Sequence, residues 1–287
     1  MAASPQQQVW STPELLESVL LPLDPRTLLV SAQRVCRTWT SLIRESSAIQ
    51  KALFFTPVEG VSTEKAHNPL LAAAFPSLFH TINTDSEDEE EFSFEGLDIV
   101  QHPEKRAVYF RPEASWRNML VQQPPTHKLA VWKSSFSWWN TYIYFEIPGD
   151  SSKTQNGLRM ETFFEALFLD DEVMFDIANR KEIIWWGRAP GLEKQIRRLE
   201  KLGGFKLDAD IVVFTSSSGQ CYEDEDEDEN ENAEPKPARK PNLGEQLTAQ
   251  IRETYRELGL TPKCTEEGWR SAIREFDFEV GQDGEIS

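Results

Sequence analysis

Apolar positions are densest over residues 11–55, where leucines recur at helical spacing and Pro, Asp and Ser punctuate them. Leu15, Leu16, Val19 and Leu20 share a face of a helix expected over Pro13–Leu21. Pro13 suits the first helical position with Thr12 as N-cap, while Ser11 and Glu14 form an alternative capping box. Pro22 stops the helix, because the residue before a proline avoids the α region. Asp24-Pro25 then reads as N-cap and first residue of a second helix, with Leu28, Leu29 and Ala32 inside. A third helical pattern follows at Val35, Cys36, Trp39, Leu42 and Ile43, and Ser46 or Ser47 caps a last short helix ending near Phe55. A unit this small sits near the lower limit for an independent core, about 40–60 residues. Its surplus apolar face must be covered, by the rest of the chain or by another protein.

Beyond this unit the pattern changes. Residues 56–91 mix Pro, small residues and charge, with anchors at Asn68-Pro69-Leu70-Leu71 and Phe75-Pro76-Ser77-Leu78-Phe79. From Phe92 helical and alternating patterns intermingle. Strands are expected at Ala107–Phe110, Leu129–Trp132, Trp138–Ile147, Ile183–Trp186 and Ile211–Phe214. Helices are expected at Met160–Phe168, around Leu192, Ile196 and Leu199, and from Leu243 through Leu258 to a stop at Gly259. Phe276, Phe278 and Val280 alternate with Asp277 and Glu279, as in a strand solvated on one face that pairs with an earlier one. The aromatic strand at 138–147 reads first as core, and Trp138, Tyr142 and Tyr144 are its candidate substrate-facing side chains.

The expected fold class is α+β. A small all-α unit at 11–55 is followed by a connecting segment at 56–91 with an acidic loop. A mixed α+β domain at 92–287 then carries a mainly antiparallel sheet. Within that domain, 216–242 runs from Ser and Gly through acids to Pro and Lys, a composition that cannot bury a core, and it reads as a disordered acidic insertion.

Charge sharpens this picture. The net charge is −18, but it is concentrated in two tracts, Asp85–Glu91 and Glu223–Glu234. Without them the remainder carries only about −3. Such a chain repels phosphates unless it has a dense basic face, and Arg34, Arg37 and Arg44 make only a local patch, so nucleic acid is not the expected partner. Ser86, with Glu89 three residues on, suits an acidophilic kinase. Cys36, Cys221 and Cys264 are an odd, widely spaced set rather than a disulfide framework. There is no apolar signal region at the N-terminus and no membrane-length apolar run. The expected location is cytoplasmic or nuclear, without a membrane partner.

No enzyme signature emerges. Gly203-Gly204 lacks the Gly and Lys of a phosphate loop, and His67, His80, His102 and His127 are scattered. Asp208, Asp210, Asp277 and Glu279 read as solvated strand-end residues, and Cys36 as a small hydrophobe without a His beside it. No cofactor or metal is expected.

Residues 11–55 resemble an F-box of the fungal type. The likeness is carried by Thr12-Pro13-Glu14-Leu15-Leu16-Glu17, Leu20-Leu21-Pro22-Leu23, Arg26-Thr27-Leu28-Leu29, Gln33-Arg34-Val35-Cys36-Arg37-Thr38-Trp39 and the tail Ile49–Phe55. Ser11-Thr12 stand where the wider pattern has Leu-Pro. The resemblance implies that the unit docks on a Skp-type adaptor and, through it, on a cullin scaffold, while the rest of the chain selects an unknown protein for ubiquitination. It implies no catalysis by the chain itself. Adaptor contacts are then expected from Pro13, Leu16, Leu20, Leu23 and Leu28, with Val35, Cys36 and Trp39 at that face or packed behind it. Two other readings stay open: a cullin-independent scaffold bound to the adaptor alone, and an enzyme with a fused helical lid.

Overall fold

The computed structural model describes residues 12–58, 64–79, 96–135, 139–146, 157–170, 180–186, 209–217, 243–265 and 272–279. It is a mixed α+β chain, with helices at the N-terminus followed by sheets. Its contacts group into two compact units: Met1–Ala74 with Ser115–Thr126 and Gly149–Glu161, and Phe75–Ala114 with His127–Pro148 and Thr162–Ser287. The boundary expected at residue 55 is therefore not where compactness divides the chain.

The first unit opens with α1 (Pro13–Leu20), α2 (Pro25–Val30), α3 (Arg37–Glu45) and α4 (Ser47–Ala52). Local chemistry sets these ends. Thr12 is the N-cap of α1 with Pro13 at its first turn, and the Asp24 carboxylate accepts the Thr27 N–H at 2.9 Å to cap α2. The Thr27 hydroxyl and, after it, the Thr27 N–H hold the Asp24 carboxyl below the usual carboxylate range. Ser46 caps α4 by accepting the Ile49 N–H at 3.1 Å. The third pattern starts later than its apolar spacing predicts. A short 3₁₀ turn at Ala32–Arg34 intervenes, and Cys36 is an extended N-cap with φ −164°. Val35 and Cys36 thus fall out of the helical phase of Trp39 and Ile43.

After α4 the chain turns at Phe54, a non-glycine residue at φ 60°. This left-handed position is stabilised by its place in the helix stop: the Phe54 N–H donates to Lys51 C=O at 3.1 Å, and the Phe54 C=O accepts the Leu120 N–H at 2.8 Å. The connecting segment is more regular than its composition suggests. It holds β1 (Ala66–His67) and α5 (Pro69–Ala74), with β1 antiparallel to β2 (Gln122–Gln123). Asn68 is fully buried and organises the join. Its Oδ1 accepts the N–H groups of Leu70 and Leu71 at 3.0 and 3.3 Å, and its Nδ2 donates to Leu120 C=O at 3.1 Å. The Gln123 amide donates to the carbonyls of Lys51 and Thr56 at 3.0 and 3.3 Å, and Arg117 forms a buried ion pair with Glu161.

The second unit holds α6 (Asp98–Gln101), α7 (Arg106–Tyr109), most of α8 (Met160–Leu169), α9 (Leu243–Glu257) and a five-stranded sheet. Its strands are β3 (Lys128–Ser135), β4 (Trp139–Glu146), β5 (Arg180–Trp185), β6 (Ile211–Ser217) and β7 (Ala272–Glu279), in the order β5-β6-β3-β4-β7. The sheet is mixed: β3 and β6 run parallel and the other pairs antiparallel. Phe164 is central to the core, its ring 6.0 Å from Phe75, 5.5 Å from Phe110 and 4.6 Å from Phe168. Trp185 stacks on Phe79 at 5.2 Å and donates its indole N–H to Leu78 C=O at 3.0 Å. The buried Glu165 carboxylate accepts the Tyr255 hydroxyl at 2.9 Å and the Lys263 N–H at 2.6 Å.

Three expectations need correcting here. Ala107–Phe110 lies in and at the end of a helix, not in a strand. The Phe110 N–H closes onto Arg106 C=O at 2.9 Å, Tyr109 donates to the Asp98 carboxylate at 2.8 Å and Arg106 Nε to Ile99 C=O at 2.8 Å. Trp186 turns out of β5 at φ 56°. β6 continues to Ser217, so the acidic segment begins later than Ser216. Residues 85–91, with Ser86, the helix expected near Leu192 and the acids at 223–234 lie outside the described residues.

Candidate functional site

α1 places its four apolar residues on two adjacent ridges. Leu16 and Leu20, four apart, turn inward and are fully buried. With Leu28, Ala32, Ile43, Ile49 and Leu53 they form the unit's own core, and Leu23, Leu29, Trp39, Leu42, Phe55 and Leu70 pack against it half-covered. Leu15 and Val19 form the neighbouring ridge and remain 47% and 43% exposed. One packed helix face covers one ridge and leaves its neighbour, 100° away, outside.

The expected adaptor residues therefore separate. Leu16, Leu20 and Leu28 have no surface left for an outside partner. Their place in the apolar pattern belongs to internal packing, and this corrects the contact set. Pro13, Val35 and Cys36 are exposed, Val35 at 59%. Leu23 and Trp39 are half-buried against the core. Among the described residues the exposed apolar surface includes Pro13, Leu15, Val19, Leu21, Pro22 and Val30 on and around the first two helices, with Val35 and Cys36 beyond them. Leu15, Val19, Leu21, Pro22 and Val30 are the members absent from the expected adaptor contacts, although Leu15 and Val19 share the apolar face that periodicity predicts. The signal was present in the pairs 15/16 and 19/20, since a stripe two ridges wide exceeds what one neighbouring helix buries.

The second expected surface is less defined. Trp138 lies outside the described residues. Tyr142 stands in register with Trp132 on β3 and Phe276 on β7, and Tyr144 with Ala130 and Arg274, so both occupy a strand flanked on each side.

Among the described residues no three His, Cys, Asp or Glu side chains come together as metal ligands. Cys264 is buried and Cys36 exposed, while Cys221 and His80 lie outside the described residues. Burial lowers the His67 imidazole to about 4, and burial together with the Asp98 hydrogen bond raises the Tyr109 phenol to about 12. Among the described residues no helix is long and apolar enough to cross a membrane.

No family model matches this chain, and neither the curated proteins nor the solved structures include a match to it.

Proposed function

We propose that this chain is an F-box substrate-recognition subunit, which docks on a Skp-type adaptor and presents a protein for ubiquitination on a cullin scaffold. The observation that carries the reading is the division of α1 between a buried ridge, Leu16 and Leu20, and an exposed one, Leu15 and Val19. A helix stabilised from within by one ridge keeps the other for a separate subunit. Fully burying a Leu is worth about 1.5–3 kcal/mol, so an exposed ridge supported by Pro13, Pro22 and Val35 supplies enough for a specific contact. The work is positional: tethering raises the effective concentration of substrate lysines near the conjugating enzyme and makes no bond.

In this reading residues beyond the helical unit choose the substrate, with Trp138, Tyr142 and Tyr144 as the candidate face. The test is co-purification of the tagged full chain with recombinant adaptor and cullin. A ligase subunit brings down both, a cullin-independent scaffold the adaptor alone, and a lidded enzyme neither.

A further inference from the structure

A cavity of about 360 Å³ opens in the first unit, on a side of α2 away from its buried Leu28. Its apolar lining comes chiefly from Leu29, Val30, Leu70, Ala74, Trp116 and Met119. Among the described residues its polar lining is Arg26, Gln33 and Ser115. Among the described residues no carboxylate lines it. Arg26 is exposed and makes no ion pair among the described residues. The space is at the small end of ligand pockets, about 300–1,000 Å³, which suits one or two side chains rather than a cofactor.

We propose that this groove binds a short acidic peptide segment, seating an apolar side chain between α2, α5 and Trp116 with a neighbouring carboxylate on Arg26. The charge argument selects the acid: a guanidinium beside an apolar floor favours a carboxylate through paired N–H donors, and no lining acid among the described residues opposes it. The Gln33 amide and Ser115 hydroxyl select a peptide over a fatty acid, because a peptide backbone offers both donors and acceptors to them and an alkyl chain offers neither. The groove does not depend on the adaptor reading, and its test is performed on the chain alone.

The probe is a fluorescein-labelled peptide of sequence Gly-Ser-Leu-Phe-Asp-Ser-Gly, with versions carrying Asn or Lys in place of Asp. The Asp peptide is expected to shift the Met119 methyl resonance, one of four methionine signals, and to bind about three- to fivefold more tightly than the Asn peptide. Arg26→Glu, at an exposed position, is expected to erase that preference and favour the Lys peptide. Ala74→Phe, which fills the groove, is expected to abolish binding of all three. An unmoved Met119 signal at millimolar peptide, or equal affinity of wild type for the Asp and Asn peptides, overturns the proposal. If Ala74→Phe does not fold, the Arg26→Glu charge swap decides alone.

Discussion

Ser46 joins two ends of the helical unit: its hydroxyl donates to the Glu17 carboxylate on α1 while accepting the Ile49 N–H that opens α4. One side chain thus ties the first helix to the fourth across 29 residues. Ser46 is nearly buried, so water compensates poorly when it is removed.

Ser46→Ala is accordingly expected to destabilise the unit by about 1–2 kcal/mol, the sum of a lost cap and a carboxylate left short of a donor. Urea unfolding followed by circular dichroism measures it. In a double-mutant cycle with Glu17→Gln, a coupling near zero would show that the two side chains do not act together.

The two ridges of α1 separate stability from binding. Leu16→Ala is expected to cost about 2–5 kcal/mol of folding free energy through cavity formation. Leu15→Asp with Val19→Asp is expected to leave the unfolding midpoint near wild type and to abolish adaptor capture. Thermal melts and pull-downs on the same samples check both. Wild-type capture by the double variant would remove the ligase reading.

His67 gives the stability a pH dependence of known sign. Its imidazole is lowered to about 4 in the fold by burial, from an ordinary 6.5. Between these values the unfolded chain binds a proton that the folded chain refuses, so stability is complete above about 6.5 and declines as the pH falls toward about 4. His67→Asn is expected to flatten that part of the profile. Urea midpoints at a series of pH values test it, and the His67 Cε1 proton in an NMR titration is expected to remain in its neutral position at pH 5.

Tyr255→Phe removes a donor on the buried Glu165 carboxylate, which also accepts the Lys263 N–H. A cost of about 1–3 kcal/mol is expected, since a buried charge loses a hydrogen bond without gaining water. Adding Glu165→Gln is expected to recover part of it. Equal losses in the single and double variants would contradict the pairing.

What the sequence disclosed was mostly local. The Asp24-Pro25 helix start and the Ser46 cap are readable because cap and first turn are neighbours in sequence. β7 is readable because Phe276 and Phe278 alternate with charge over enough residues to define a period. Ala107–Phe110 failed for the opposite reason: four residues carry no period, and their helix is held by Asp98 and Ile99, distant in sequence. Leu15 against Leu16 was undecidable by pattern, since adjacent ridges are equally apolar and only the position of α2 through α4 chooses between them. The Arg26 groove was invisible for a related reason: α5 and the 115–119 segment belong to distant parts of the sequence that the Asn68–Leu120 bond and the β1–β2 pairing join.

The strand order β5-β6-β3-β4-β7 also constrains synthesis. β4 finds its second neighbour in Ala272–Glu279, the last of the five strands in chain order. A nascent polypeptide emerging from the ribosome therefore carries β4 as a bare edge until β7 has been made, and such edges recruit other strands. A stop placed before Ala272, which removes β7, should therefore increase aggregation.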